Sequence, residues 1–152
     1  MKDGLGRTID YLRISLTDRC NFRCIYCMPE DGVKLMSHEE ILRVEEIAHV
    51  VRIAADLGIR SVRLTGGEPL VRLGVVDLVR DIASTPGIEN VSMTTNGVLL
   101  PKMADALKRA GLSRVNISLD TLDPEQFKYI TRRGELQQTL DGIDAALEAG
   151  FD

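Results

Sequence analysis

The segment DRCNFRCIYCMPEDGV, residues 18–33, holds all three cysteines of the 152-residue chain. Cys20, Cys24 and Cys27 stand in a C-x3-C-x2-C pattern. An odd number of thiols so closely spaced is a poor disulfide framework in a reducing compartment and a better set of metal ligands. Zinc in a closed structural site takes four ligands, so His38, His49 or a carboxylate would have to join the cysteines. Both histidines fall in a stretch with helical periodicity, which gives each an ordinary role as a helix residue. An iron–sulfur cluster also takes cysteine thiolates, usually four. Three cysteines would leave one iron without a protein ligand, and an open metal position is where a substrate or cofactor coordinates.

Three further segments could share that chemistry. TGGEP, Thr65 to Pro69, has adjacent glycines that either make a turn or let main chain approach a ligand. Glu68 in the same segment can accept from a cation. TTNG, Thr94 to Gly97, ends in a common turn dipeptide, so Asn96 and Gly97 are explained by turn chemistry and Thr94 is the better ligand candidate. In NISLD, Ser118 could reach a ligand and Asp120 could cap the strand end.

The elements that must position these residues follow from periodicity. YLRISL, RSVRLT, NVSMTT and RVNISLD predict four strands. SHEEILRVEEIAHVVRIAADLG predicts a helix opened by a Ser37/Glu40 capping box, with Ile41, Val44, Ile47, Val51, Ala54 and Ala55 on one face and Gly58 after its end. Further helices are predicted over Val75–Ile82, over Lys102–Arg109, after Asp123 as cap with Pro124 in the first turn, and over Leu136–Glu148. Strands alternating with helices imply right-handed βαβ units and a parallel sheet. Each motif then lies at the C-terminal end of a strand, where α/β sheets bind ligands.

The strands themselves alternate. Leu12, Ile14 and Leu16 are interleaved with Arg13 and Ser15, Val62 and Leu64 with Arg63 and Thr65, and Val115, Ile117 and Leu119 with Asn116 and Ser118. A parallel sheet covered by helices on both faces reads as continuous apolar runs instead. One face is therefore polar, and it lines either solvent or a barrel-like interior holding a polar ligand.

Composition sets outer bounds. The chain carries a net charge of −4, with 44% hydrophobic and 28% charged residues. That fits a folded globular protein and offers no basic footprint for nucleic acid or an anionic membrane. No apolar run nears the roughly 20 residues of a membrane span, and the opening MKDGLGRTID lacks a signal-peptide core, so a cytoplasmic location is expected. No linker or repeat divides residues 1–152, which read as one domain. The chain stops after a helix and its glycine, where another strand is expected, so it reads as truncated on its C-terminal side.

The cysteine spacing, with Tyr26 before the third cysteine and GGE after the second strand, resembles the radical S-adenosylmethionine (SAM) enzymes. In that family three cysteines bind a [4Fe–4S] cluster whose fourth iron is chelated by the amino and carboxylate groups of SAM. GRTIDYLRISLTDRCNFRCIYCMPEDGV, VRLTGGEPLVR, MTTNG and VNISLDTL together resemble the GTP 3′,8-cyclases, the molybdenum cofactor biosynthesis protein A family, over essentially the whole chain. The resemblance implies a partial (βα)6 TIM-like barrel, of which the first four βα units are present. It assigns the metal to Cys20, Cys24 and Cys27, and SAM contacts to Tyr26, Gly66, Gly67, Glu68 and Ser118. GTP contacts fall to Arg13, Arg63 and Thr94; arginines buried on the polar face would suit a triphosphate, and an ion pair with Glu68 or Asp120 is the alternative. It further implies a 5′-deoxyadenosyl radical acting on GTP ribose in the first step of molybdenum cofactor biosynthesis. Flavodoxin or ferredoxin would donate electrons, cyclic pyranopterin monophosphate synthase would follow, and a homodimer is allowed. The family's second three-cysteine cluster and glycine-arginine tail are not in this chain, so it is expected to be inactive alone. The unpaired edge of the fourth strand predicts association or poor solubility. The competing readings are another radical SAM enzyme acting on a peptide or small molecule, and a non-catalytic iron–sulfur or zinc module.

Overall fold

Four parallel strands in the order β1-β2-β3-β4 form the centre of the computed structural model, which describes residues 2–37 and 39–151. They are β1 (Tyr11–Ser15), β2 (Ser61–Thr65), β3 (Asn90–Thr95) and β4 (Arg114–Ile117). Register is continuous across the sheet: Ile14 lies beside Leu64, Leu64 beside Met93 and Met93 beside Val115. The predicted strands are all present, β4 being shorter than the apolar alternation suggested.

Helices α1 (Val44–Asp56), α2 (Val75–Ala83), α3 (Leu100–Ala110) and α5 (Leu136–Glu148) cover the apolar face. Val62, Leu64, Val91 and Met93 from the sheet are buried together with Ile47 and Val51 of α1, Leu78 and Ile82 of α2, and Leu107 of α3. This single cluster removes from water the side chains that the period-two pattern assigned to one face, which is the main source of the fold's stability. The other face stays polar. The sheet is thus the first four βα units of a barrel, left open, with β1 and β4 at its edges.

Helix α4 (Pro124–Thr131) sits apart from that layer and is set as its sequence predicts: Asp123 Oδ1 accepts from the amide of Gln126 at 2.7 Å, with Pro124 in the first turn. α5 has the predicted boundaries.

α1 departs from its predicted start. Ser37 and Glu40 do bond, Glu40 Oε2 accepting from the Ser37 amide at 2.8 Å, but they close an isolated turn. Helix begins only at Val44, where Glu46 accepts from the Arg43 amide at 2.7 Å and from its guanidinium at 3.3 Å. The Leu42 carbonyl, which an earlier helix would need, instead accepts from Arg72 Nη2 at 2.7 Å. The far end is as expected, with Gly58 at φ 100°. Among the described residues no helix is long and apolar enough to cross a membrane.

Candidate functional site at the C-terminal strand ends

From β1 the chain turns across the strand ends, and this turn carries the cysteines. The turn is held from two sides.

One side is the TGGEP segment. The Leu16 amide donates to Thr65 O at 2.9 Å, the Gly67 amide to Thr17 O at 2.7 Å and the Glu68 amide to Arg19 O at 2.8 Å. A Cβ on Gly67 would lie 2.2 Å from Arg19 O, and one on Gly66 2.7 Å from Thr17 O. The close approach these glycines permit is therefore first of all to the protein's own main chain.

The other side is the last turn of α4, where the unused carbonyls of a helix C-terminus need donors. Thr131 O accepts from the Arg23 amide at 3.0 Å, and Ile130 O from the Ile25 amide at 2.9 Å. Arg132, the one described non-glycine residue at positive φ (60°), sends Nη1 back to Arg23 O at 3.1 Å and Met28 O at 3.0 Å. Beneath the loop, Phe22 meets Phe127 edge-on with centroids 6.0 Å apart, and Cys20 and Cys24 pack against this pair.

An open cavity of about 330 Å³ is lined by Cys20, Cys24 and Cys27 together with Tyr26, Gly66 and Gly67. Glu68, Ser118, Thr94 and Arg13 also border it, so the strand ends bring together all but one of the predicted site residues. Arg63 is the exception: it opens into a second cavity nearer the strands' N-terminal ends. Arg13 is exposed and Arg63 half-buried, which corrects the expectation of buried arginines; an open sheet leaves its polar face wet. Neither forms the ion pair with Glu68 or Asp120 that was the alternative.

Glu68 is also engaged within the protein. It is 1% exposed, Oε1 accepting from Thr95 Oγ1 at 2.7 Å and the Leu70 amide at 2.9 Å, and Oε2 from the Asn96 amide at 2.8 Å. Burial pushes its pKa above the usual carboxylate range, against the pull of these three donors. Its chemistry is to pin the start of the 3-10 turn at Pro69–Val71 to the end of β3.

Asn96 is more than a turn residue. Nearly buried, it donates Nδ2 to Asn21 Oδ1 at 2.7 Å and so ties the cysteine loop to β3. Tyr26 donates its hydroxyl to Asp120 Oδ2 at 2.7 Å. Desolvation, then this bond, pushes the phenol's pKa up. Thr131, Arg132, Asn21 and Asn96 were not singled out as site residues. Asn21 and Asn96 lay inside motifs, and Thr131 and Arg132 become site residues through contacts remote in sequence.

Burial raises the pKa of Cys20 and of Cys24; Cys27 adds to the rise of the first, and Cys20 and Cys27 to that of the second. The three thiols therefore share one electrostatic environment. Among the described residues no three His, Cys, Asp or Glu side chains are gathered as a single-ion cage. His49 lies exposed on α1, away from this cavity, and His38 is outside the described residues.

Many known proteins are similar to this chain. A GTP 3′,8-cyclase of Petrotoga mobilis is 62% identical over all 152 residues, and one of Moorella thermoacetica is 59% identical over 99% of the chain. In both cases the chain spans 47% of the relative's length, about half. Among solved structures, Streptococcus suis SuiB bound to its precursor peptide SuiA superimposes with a TM-score of 0.78 at 21% identity, covering 94% of this chain and 31% of that one. HydG, a maturase of the [FeFe]-hydrogenase, gives a TM-score of 0.75 at 21% identity, covering 93% of this chain and 33% of HydG. These likenesses bear on the fold. The description of the Radical SAM superfamily matches residues 14–152, from β1 through the cysteine loop to the chain's end. With the matched region spanning nearly the whole fold and its motifs at successive strand ends, the chain belongs to the Radical SAM superfamily.

Proposed function

We propose that this chain is the cluster- and SAM-binding portion of a GTP 3′,8-cyclase. The single observation that carries the proposal is the convergence of the three cysteines, the Gly66–Gly67 turn, Tyr26, Ser118, Thr94 and Arg13 on one cavity. The donor set fits a cluster with one free iron. Cys20, Cys24 and Cys27 are the thiols present, no histidine among the described residues lines the cavity, and its carboxylates are engaged, Glu68 by three donors and Asp120 by Tyr26.

When bound, the cluster and SAM supply one-electron radical chemistry; the protein supplies binding, orientation and exclusion of water. Cys20, Cys24 and Cys27 would hold the irons. The main chain at Gly66 and Gly67, with Ser118 and Tyr26, would orient SAM. Arg13 and Thr94 would hold GTP on the polar face, and Arg63 would extend that contact towards the phosphates. Phe22 and Phe127 back the cysteines with apolar surface and keep water from that side. Flavodoxin or ferredoxin as electron donor, and cyclic pyranopterin monophosphate synthase as the next enzyme, belong to this reading.

The test is anaerobic reconstitution with iron and sulfide, reduction, and electron paramagnetic resonance with and without SAM. A [4Fe–4S] signal that changes on adding SAM, and is absent when Cys24 is replaced by serine, is the expected result. A cluster signal indifferent to SAM, or a stoichiometric zinc ion in its place, overturns the proposal.

A further inference from the structure

One charge inside the cysteine loop has no counter-ion in the protein. Arg23 stands between Cys20 and Cys24 in sequence, yet it does not line the cavity the thiols share. Its Nη1 turns back to donate to Cys20 O at 2.7 Å and to Phe22 O at 2.8 Å. Nε is buried and has no hydrogen-bond partner. Among the described residues no carboxylate pairs with this guanidinium.

The group is held in one place. The turn at Pro29–Gly32, closed by the Gly32 amide on Pro29 O at 2.9 Å, packs against it. A Cβ on Gly32, which sits at φ 87°, would lie 3.2 Å from Arg23 Nε and 3.4 Å from Nη2. Arg132 Nη1 donates to the carbonyl of Arg23 itself at 3.1 Å, which fixes the main chain that carries the side chain. A buried cation with an unused donor costs free energy unless an anion stands nearby. The groups nearby are the thiols: burial raises the pKa of Cys20, and the charge of Arg23 pulls against that rise.

We propose that Arg23 is the internal counter-charge of the cysteine-bound cluster, a positioning residue whose fixed guanidinium raises the cluster's reduction potential. The inference rests on the reading that Cys20, Cys24 and Cys27 hold a [4Fe–4S] cluster. Three thiolates outweigh the charge of a [4Fe–4S]2+ core by one, so the oxidised site is already anionic, and one further electron adds to that negative charge. A fixed cation stabilises the reduced form more than the oxidised one. Phe22 and Phe127 strengthen the effect by keeping that side apolar. Arginine suits the task because it stays protonated when buried, where a lysine would shed its proton more readily.

The experiment is a redox titration of the anaerobically reconstituted 152-residue chain, poised with dithionite and mediator dyes and followed by the electron paramagnetic resonance of the reduced cluster. Arg23→Gln removes the charge and keeps a donor for the Cys20 carbonyl; Arg23→Lys keeps the charge and loses the fork. Arg132→Gln loosens the same loop, and Arg109→Gln removes a charge from exposed α3. Iron and sulfide content and thermal unfolding check that each variant loads and folds. Arg23→Gln should lower the midpoint potential by about 59 mV or more, a tenfold change in the reduced-to-oxidised ratio of a one-electron couple. Arg23→Lys should recover most of that shift, Arg132→Gln should shift less than Arg23→Gln, and Arg109→Gln should titrate as the parent. An unshifted potential in Arg23→Gln, or an equal shift in Arg23→Lys or Arg132→Gln, overturns the counter-charge. If Arg23→Gln loads no cluster, Arg23→Lys decides: loading restored by lysine supports the counter-charge, and loading lost with lysine as well overturns it. A parent cluster whose signal ignores SAM defeats the cyclase reading while the potentials still decide for or against Arg23. A parent that binds zinc in place of a cluster overturns both.

Discussion

The hydroxyl of Tyr26 and the carboxylate of Asp120, 94 residues apart in sequence, meet at 2.7 Å and bridge the cysteine loop to the end of β4. Because the phenol's pKa is raised, Tyr26 remains a donor through the neutral range. Replacing it by phenylalanine should cost no more than ~1 kcal/mol, since the pair is exposed. The same change should speed amide exchange at residues 24–28. Unchanged exchange there, measured by mass spectrometry, would show that the bridge does not order the loop.

Glu68 carries a pH signature. Its folded pKa is raised, so the carboxyl's favourable contribution is fully present below the ordinary carboxylate value and is lost as pH rises through the folded value. Denaturant unfolding of the parent should therefore lose stability with rising pH across this acid-side window, relative to Glu68→Gln. The glutamine should itself be destabilised by ~1–3 kcal/mol, because its amide nitrogen must face one of three donors. Parallel stability–pH curves for the two proteins would refute the linkage.

Steric packing at the glycine pair gives a sharper prediction. A methyl on Gly67 would meet the Arg19 carbonyl, whereas one on Gly4 has nothing within 4 Å. Gly67→Ala should lower the stability by at least ~1–3 kcal/mol, the usual cost of overpacking, and Gly4→Ala should be neutral. Calorimetric unfolding of the two variants is the comparison.

Arg132 separates strain from contact. At φ 60° it sits where an L side chain costs ~1–2 kcal/mol, yet its guanidinium satisfies two loop carbonyls. Arg132→Ala should lose the contacts and keep the strain; Arg132→Gly should lose the contacts and relieve it. Both should accelerate exchange at residues 23–28 to the same extent, while the glycine variant melts higher than the alanine one. Equal melting temperatures would show that the positive φ carries no strain.

Thiol acidity governs loading. With the pKa values of Cys20 and Cys24 raised by burial, both are protonated at neutral pH, and metal must displace those protons. Iron uptake during reconstitution should rise with pH through the mildly alkaline range. A flat profile, read from iron and sulfide content per chain, would contradict this.

Much of this architecture is legible in the chain itself. Alternation in VRLT and NVSMTT identifies the buried face, and Asp123–Pro124 marks the start of α4, because both are local consequences of backbone geometry. The start of α1 is less legible: Ser37 and Glu40 have the right spacing, but the competition for the Leu42 carbonyl is settled by Arg72, thirty residues away. Glu68 illustrates the same limit at the site. Its motif is visible, but the donors that turn the carboxylate inward belong to Leu70, Thr95 and Asn96. Arg63 could be assigned to the polar face by period two, while its separation from the cysteine cavity depends on the register of three neighbouring strands.

The docking of the cysteine loop on the last turn of α4 also fixes an order of events in time. The loop precedes α4 in the chain and so is synthesised before it, yet the Arg132 contact that closes it spans 109 residues. Contacts of such long separation form late, after local helices and neighbouring strand pairs. The thiols are thus made before the elements that dock their loop, which gives the nascent chain an interval in which metal can reach all three before the loop is held in place.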